Sequence, residues 1–285
     1  MRAVLGAVVA LLVMASPALA ASKTETVSSG QVTATLTYDY KKTQYGFYDF
    51  QNLHVTVDRA GQRLVDQAIG AECQYCSPWP AAGGTDTKSI SVRDLDSDGE
   101  PEVLLDLYSG GANCCYYTDA WYYDEASAKY ATVVLRPGLD FFYTLKDLNH
   151  DGAPEFYSQD YRFAYKYGSN ADTPRPLQIW DWDSGKLVDV TLSYPKLAAR
   201  DAAQYYRVYL QLRRQKGLNL RGVLAAYLAD SYNAGQGRTA WRRVVAAYRR
   251  DELNRKQRGD VAPFGKAHLK SLRSFLKKLG YLRRT

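Results

Sequence analysis

A nine-residue acidic segment occurs twice in the middle of this chain, and it constrains the fold more than any other feature. The first copy starts at Asp94 and the second at Asp147. Each has a carboxylate or amide side chain at positions 1, 3 and 5, a glycine at position 6 and a glutamate at position 9. Oxygens at alternate positions converge when the backbone wraps around one point, and glycine permits the tight turn that this wrapping needs. Each segment is therefore predicted to be a loop that holds a hard cation.

The predicted ligands are four side chains and one backbone carbonyl in each loop. They are Asp94, Asp96, Asp98 and Glu102 with the carbonyl of Glu100 in the first loop, and Asp147, Asn149, Asp151 and Glu155 with the carbonyl of Ala153 in the second. We expect one or two calcium ions in a structural role, because clustered carboxylates repel one another without the ion. The alternative is that the aspartates only cap turns. Asn149 removes one charge, so weaker binding is expected at the second loop.

Strands are predicted on both sides of each loop, which distinguishes the loops from EF-hands. An EF-hand has a glutamate at position 12 and flanking helices, whereas position 12 here is Leu105 or Ser158. The Asp-x-Asp-x-Asp-Gly-x-x-Glu pattern of the first loop resembles the calcium loops of FG-GAP/VCBS-type repeats, the integrin-alpha-like propeller blades. The resemblance covers residues 85–160 well and residues 31–195 through the repeat. It implies calcium held between the strands of a blade, in an extracellular setting.

Alternation of apolar and polar residues predicts a β-rich repeat domain over residues 21–195. Turn sequences begin at Asp58, Asp124 and Asp183, each between two predicted strands, and they mark three repeats of about four strands. We predict three antiparallel units that resemble propeller blades, of which the first lacks the acidic loop. Because three blades are fewer than closed propellers carry, we expect an open or incomplete propeller, or one whose edges are covered by the rest of the chain.

Residues 1–20 have the features of a cleaved signal peptide. Arg2 precedes a short apolar run, and Ala18-Leu19-Ala20 supplies a small-x-small cleavage site. The mature protein is thus expected to begin near Ala21 and to be secreted or periplasmic.

Export would place the four cysteines in an oxidising compartment, where disulfides form. Two bridges that join Cys73 and Cys76 to Cys114 and Cys115 are favoured, because the other pairing needs a strained bridge between adjacent residues. Which partner each cysteine takes stays open. A zinc site made of all four cysteines is the alternative, although adjacent cysteines chelate a metal poorly.

Residues 196–285 form a basic region with a helical pattern. They contain 22 Lys and Arg against 5 Asp and Glu, whereas residues 1–195 contain 15 against 25. Helices are predicted over residues 197–215, 220–232, 239–254 and 264–279, as a small all-α domain. The region is also similar to the helical tails of exported bacterial repeat proteins of unassigned role. It either packs on the acidic part of the chain or meets an anionic polymer or membrane surface.

The sequence favours an exported binding or interaction module that calcium stabilises, with a cell-surface glycan or protein as its ligand. Trp121, Trp180 and Trp182 are candidate ligand-contacting aromatics, and their alternative role is packing in the core. A secreted hydrolase acting on cell-wall polymers is a second hypothesis, and anionic-surface binding by residues 196–285 is a third. The sequence contains no metalloprotease or serine-elbow motif, so an enzyme is the less favoured class. Nucleic acid is not expected as a partner outside the cell.

Overall fold

Three antiparallel β-sheets and four α-helices make up the protein in a computed structural model, which describes residues 20–70, 76–80, 87–111, 115–137, 140–215, 218–254 and 263–283. Sheet A consists of β1 (Ala21–Ser29), β2 (Val32–Lys42), β3 (Tyr48–Arg59) and β4 (Gln62–Ala68). Sheet B consists of β5 (Ser77–Pro78), β6 (Ile90–Arg93), β7 (Glu102–Tyr108), β8 (Tyr116–Asp124) and β9 (Lys129–Leu135). Sheet C consists of β10 (Tyr143–Lys146), β11 (Glu155–Gln159), β12 (Leu177–Asp183) and β13 (Lys186–Asp189). The helices are α1 (Pro195–Leu212), α2 (Arg221–Asn233), α3 (Gly237–Arg249) and α4 (Gly265–Lys278).

Each sheet is a meander in which successive strands pair. Sheets A and C run in the orders β1-β2-β3-β4 and β10-β11-β12-β13. In sheet B, β6, β7, β8 and β9 pair in the same sequential way, and the two-residue β5 pairs with the end of β7. The described strands form no closed barrel. The prediction of a β-rich region of antiparallel units followed by a helical region is therefore confirmed.

The sheets are stacked, and sheet B is the middle layer. In β7, Val103 and Leu105 belong to the core that sheets A and B share, whereas Leu104 belongs to the core between sheets B and C. Residues 102–105 of β7 are all buried. This strand is almost continuously apolar because both of its faces are covered.

Sheet A, by contrast, has one apolar face and one polar face. On β2, Val32, Ala34 and Leu36 are fully buried in the core shared with sheet B. The threonines between them lie on the opposite face, where the hydroxyl oxygens of Thr35 and of Thr26 on β1 are 3.1 Å apart and hydrogen-bonded. This alternation follows from the period of two along a strand. The sheet therefore presents a hydroxyl-rich surface on the side away from sheet B.

The helical region lies against the outer face of sheet C. Ala198 of α1 packs with Leu177 and Ile179 of β12. Helix α2 is buried on nearly all sides, and α1, α3 and α4 contribute to the core around it. The helices agree with the predicted ones to within a few residues, and Gly280 follows α4 with a φ of 86°, as predicted for a C-terminal cap. None of the described helices combines the length and the apolar character that crossing a membrane would need.

The segment between β11 and β12 joins the β and helical regions. Its Phe163 and Tyr167 are fully buried in the core of the helices. The Tyr281 hydroxyl donates to Asp160 Oδ2 at 2.8 Å, and the backbone N–H of Leu177 donates to Asp230 Oδ1 at 2.9 Å. Buried hydrogen bonds of this kind fix the position of sheet C relative to the helices.

Candidate metal centre

The two acidic loops occupy equivalent places in sheets B and C. The first connects β6 to β7, and the second connects β10 to β11. At loop position 4, Ser97 and His150 have φ values of 60° and 65°, and at position 6 Gly99 and Gly152 have φ values of 88° and 98°. Left-handed backbone at these two positions turns the chain back on itself, which is why glycine occurs at position 6. Sheet A makes the equivalent connection with the short turn Gly30-Gln31.

Three backbone-to-carboxylate hydrogen bonds are common to both loops. They run from position 6 to the carboxylate of position 1, from position 7 to that of position 5, and from position 2 to that of position 9. In the first loop these bonds are 3.0 Å for Gly99 to Asp94, 2.7 Å for Glu100 to Asp98 and 2.9 Å for Leu95 to Glu102. In the second they are 3.2 Å for Gly152 to Asp147, 2.9 Å for Ala153 to Asp151 and 2.7 Å for Leu148 to Glu155. The sequence repeat is therefore also a repeat of local geometry.

The first loop brings three carboxylates together. One oxygen each from Asp94, Asp96 and Glu102 lies within 4.8 Å of the others. The Oδ1 atom of Asp94 is buried and has no hydrogen-bond partner among the described residues. A buried acceptor without a partner is costly, and a bound cation would satisfy it. All the candidate ligand atoms in this tight group are oxygens, and oxygen ligands fit a hard divalent cation such as Ca²⁺.

Electrostatics in the first loop agree with this fit. Burial raises the pKa of Glu102 to about 8; the hydrogen bond from the Leu95 amide opposes the rise, and the charges of Asp96 and Asp98 add to it. Burial also raises the pKa of Asp96, and the neighbouring aspartates strengthen the effect. A cation among these groups would favour their ionised forms.

The second loop differs because its carboxylates have other partners. Both oxygens of Asp147 accept backbone N–H groups, at 2.7 Å from His150 and 3.2 Å from Gly152. The side-chain amide of Asn149 donates to Asp151 at 2.7 Å. The Tyr194 hydroxyl, at the start of α1, donates to Glu155 Oε1. In the described part of the chain, a group of three neighbouring carboxylates is found at the first loop and not at the second.

The side chain of each position-7 residue is either engaged elsewhere or apolar. The Glu100 carboxylate forms a bidentate ion pair with Arg59 of β3, with N–O distances of 2.9 and 2.8 Å, and it accepts from Gln31 at 2.9 Å. Arg59 lowers the pKa of Glu100. This side chain therefore ties the first loop to sheet A, and Ala153 has no polar side chain at all. Only their carbonyl groups remain as candidate ligands.

The predicted ligand-contacting tryptophans are mostly core residues. Trp121 is fully buried between sheets A and B, and Trp182 is 5% exposed between sheets B and C. Trp180 is partly buried and donates its indole N–H to Ser158 Oγ at 3.2 Å. The prediction is therefore wrong for Trp121 and Trp182, because the stacking of the sheets covers the strand faces that carry them.

A different set of aromatic residues lines a groove between sheets B and C. Its cavity volume is about 350 Å³. The ring centroids of Trp79 and Tyr116 are 4.9 Å apart, and those of Tyr116 and Phe142 are 5.5 Å apart. At the base, Asp106 accepts from Thr118 at 2.6 Å and from Tyr143 at 2.8 Å. Burial raises the pKa of Asp106 to about 6.

Two of the four cysteines are in the described part of the chain. Neither Cys76 nor Cys115 is a free thiol. Cys73 and Cys114 lie outside the described residues, so the disulfide pairing stays a prediction. Of the predicted cleavage site Ala18-Leu19-Ala20, only Ala20 is among the described residues.

Comparison with known proteins finds one matching family and two similar bacterial sequences. A family described as the sll0997 C-terminal domain matches residues 198–280, which include α2, α3, α4 and most of α1. The Synechocystis sp. (strain ATCC 27184 / PCC 6803 / Kazusa) protein named "Probable thylakoid lumen protein sll0997" is 28% identical over 231 residues, which are 79% of this chain and 63% of that protein. "Uncharacterized protein y4bJ" of Sinorhizobium fredii (strain NBRC 101917 / NGR234) is 25% identical over 209 residues, which are 69% of this chain and 30% of that protein.

The chain thus spans less than two thirds of the length of either relative. No solved structure matches it. The similarity to the Synechocystis protein is longer than the helical family match, so it extends into the β-sheets as well.

Proposed function

We propose that this protein is an exported binding module whose β-sheets are stabilised by calcium at the first acidic loop. The observation that carries the proposal is the group of Asp94, Asp96 and Glu102, in which one buried oxygen lacks a partner among the described residues. The second loop repeats the geometry of the first, and this recurrence supports a cation-binding loop rather than an acidic turn without a ligand. The second loop is a weaker site, because its carboxylates already accept hydrogen bonds.

Two further features support the wider setting. The Synechocystis relative is named as a probable thylakoid lumen protein, and a lumen lies across a membrane from the site of synthesis. An exported compartment, secreted or periplasmic, suits the signal-like N-terminus and calcium use alike. The sequential four-strand meanders, stacked face to face, are in keeping with three blade-like units of an open propeller.

The groove between sheets B and C is the binding surface that we infer for this module. Its aromatic faces suit the apolar faces of sugar rings, and Asp106 and Lys88 supply polar groups beside them. This combination of aromatic and polar groups in a groove fits a cell-surface glycan better than it fits a flat protein surface.

Thermal unfolding with and without calcium tests the metal proposal. We expect the melting temperature of the full chain to be at least about 5 °C higher in 1 mM CaCl₂ than in EDTA, because an ion that binds only the folded state stabilises it. Asp94→Asn should remove most of this difference. Asp147→Asn, the same change at the same loop position, should leave most of it in place.

An identical melting curve in calcium and in EDTA would exclude a structural calcium ion. If both variants lost the calcium-dependent rise in melting temperature equally, the two loops would contribute equally to calcium binding. That outcome would contradict the proposal that the second loop is the weaker site.

A further inference from the structure

An open cleft of about 710 Å³ lies where α2, α3 and α4 meet. Its walls include Tyr232 at the end of α2, Arg238, Trp241 and Arg242 on α3, Arg273 on α4, and Leu282. The volume is within the range of small-molecule sites. No acidic residue is among the described residues that line it.

Within the part of the chain that the structure describes, the three arginines of the cleft have no acidic partner, unlike Arg59, Arg213 and Arg250. Arg59 pairs with Glu100, and Arg213 and Arg250 pair with Glu252. Among the described residues, Arg238, Arg242 and Arg273 form no ion pair; Arg242 only contacts the Thr239 hydroxyl, at 3.2 Å.

Two of these arginines also repel each other. Arg238 and Arg242 are one turn apart on α3, and like charges at that spacing destabilise a helix. An uncompensated group of three cations around a concave surface has an unfavourable energy that a bound anion would relieve.

The start of α3 lies beside the cleft, since Gly235 and Arg238 both line it. Helix α3 begins at Gly237, next to Arg238, and has no side-chain hydrogen bond at its N-cap. The first N–H groups of a helix have no acceptor within the helix, and they carry the positive end of its dipole. The side chains and the helix end therefore favour the same kind of ligand.

Trp241 and Tyr232 give the cleft an apolar side. Both are half-buried, whereas the three arginines are exposed. Tyr232 and Arg273 lie close enough for the arginine charge to counteract the rise that burial causes in the pKa of the Tyr232 hydroxyl. An apolar ligand body can thus contact the rings while its charged end meets the guanidinium groups.

We propose that this cleft binds a small phosphate monoester with an aromatic or apolar body. A phosphate monoester carries close to two negative charges at neutral pH, and its oxygens match the forked donors of arginine. Three arginines match the double charge of such a ligand better than they match the single charge of a carboxylate ligand. The inference rests on the helical region alone and is independent of the calcium proposal.

Isothermal titration calorimetry with phenyl phosphate tests the cleft directly, using the full chain at low salt. Benzoate and inorganic phosphate serve as comparison ligands. We expect phenyl phosphate to bind at least about tenfold more tightly than benzoate, because of its second charge, and several-fold more tightly than inorganic phosphate, because of the ring. The triple variant R238A/R242A/R273A should weaken phenyl phosphate binding at least about tenfold.

The matched control is R207A/R214A/R249A, which removes the same charge from exposed arginines outside the cleft. It should bind phenyl phosphate as the unchanged protein does. Trp241→Ala should reduce the preference for phenyl phosphate over inorganic phosphate.

Two outcomes would overturn the proposal. One is equal weakening in both triple variants, which would indicate general attraction to a basic surface. The other is retention on phosphatidylglycerol vesicles without binding of phenyl phosphate, which would assign the charge to a lipid surface. A melting temperature measured for each variant identifies any loss of binding that is caused by unfolding.

Discussion

At the scale of single residues, the hydrogen-bond partners of the carboxylates determine the difference between the two acidic loops, and one of these partners is distant in sequence. Asp94 and Asp147 hold the same loop position, yet Asp147 has both oxygens engaged by backbone N–H groups and Asp94 has one. Glu102 and Glu155 differ in the same way, since Tyr194 donates to Glu155 from the start of α1. Asn149 predicts weaker binding at the second loop, but the contact from Tyr194 could not be predicted, because it depends on how α1 packs against sheet C.

His268 is a second residue whose role depends on the fold. It is fully buried in the core of the helices, and neither ring nitrogen has a partner among the described residues. Its ring is perpendicular to that of Tyr167, with centroids 5.0 Å apart. Burial, together with the nearby charge of Arg221, lowers the pKa of His268 to about 4. The sequence alone gave no sign of this, because the helix around it is rich in lysine.

This depressed pKa predicts acid sensitivity of the helical region. Between about pH 6.5 and pH 4 the unfolded chain binds a proton at His268 and the folded protein does not, so the free energy of unfolding falls as the pH decreases. The loss at this residue should reach about 2–3 kcal/mol at pH 4. Urea unfolding at pH 7.5 and pH 4.5 should show a smaller pH dependence in His268→Leu.

His54→Gln is the control for this experiment, because His54 is partly exposed and lies 3.0 Å from Asp66 on the surface of sheet A. An unchanged pH dependence in His268→Leu would mean that the buried imidazole does not contribute to acid sensitivity.

At the scale of elements, two hairpins of the same type allow local and tertiary effects to be separated. The turn between β3 and β4 has Gly61 at a φ of 80°, and the turn between β12 and β13 has Gly185 at a φ of 86°. A Cβ atom on Gly61 would have no neighbour within 4 Å, whereas one on Gly185 would lie 2.5 Å from Cε1 of Tyr122. Tyr122 belongs to β8 and packs edge-on against Trp182.

Alanine at these two glycines should therefore have different costs. Gly61→Ala should lower the free energy of unfolding by about 1 kcal/mol, through left-handed backbone strain alone. Gly185→Ala should lower it by about 2–4 kcal/mol, because the new methyl group also displaces the Tyr122 ring. Chemical denaturation measures both values. Equal losses would show that the ring moves aside without cost.

Most strands and all four described helices were predictable from periodicity, because hairpin turns and amphipathic stripes are local signals. β1 was not predicted, since its side chains are polar on both faces and Glu25 is the buried one, held by Tyr38 and the Ser89 amide. The ligand-contacting role predicted for Trp121 and Trp182 was wrong for a related reason, and their alternative role in the core holds. A single strand sequence does not show which of its faces another sheet will cover.

At the scale of the whole molecule, the stacking of sheets B and C forms the aromatic groove. Trp79 follows β5, Tyr116 lies on β8, and Phe142 precedes β10. No single repeat contains the groove, so repeat analysis of the sequence could not have located it. A ligand bound there would contact two sheets at once and depend on their relative position.

Phe142→Ala tests this surface with little risk to folding, since the side chain is 47% exposed. We expect it to weaken retention on soluble bacterial cell-wall glycan at least several-fold, because aromatic stacking supplies much of the binding energy to sugars. Phe47→Ala is the matched control, as Phe47 is 74% exposed and lies outside the groove. Equal retention of both variants would exclude the groove as the binding surface.

The threonine-rich face of sheet A is poorly suited to packing against a further sheet. Repeat arrays grow when each unit leaves an apolar face for the next one, and they end at units whose outer face is polar. In sheet A, the residues that would receive another sheet are hydroxyl side chains already hydrogen-bonded across β1 and β2. At the other end, α1 covers sheet C. Among the described residues, the stack of three sheets thus has a polar face at one end and a helix at the other, and packing a further sheet against sheet A would require apolar residues in place of those threonines.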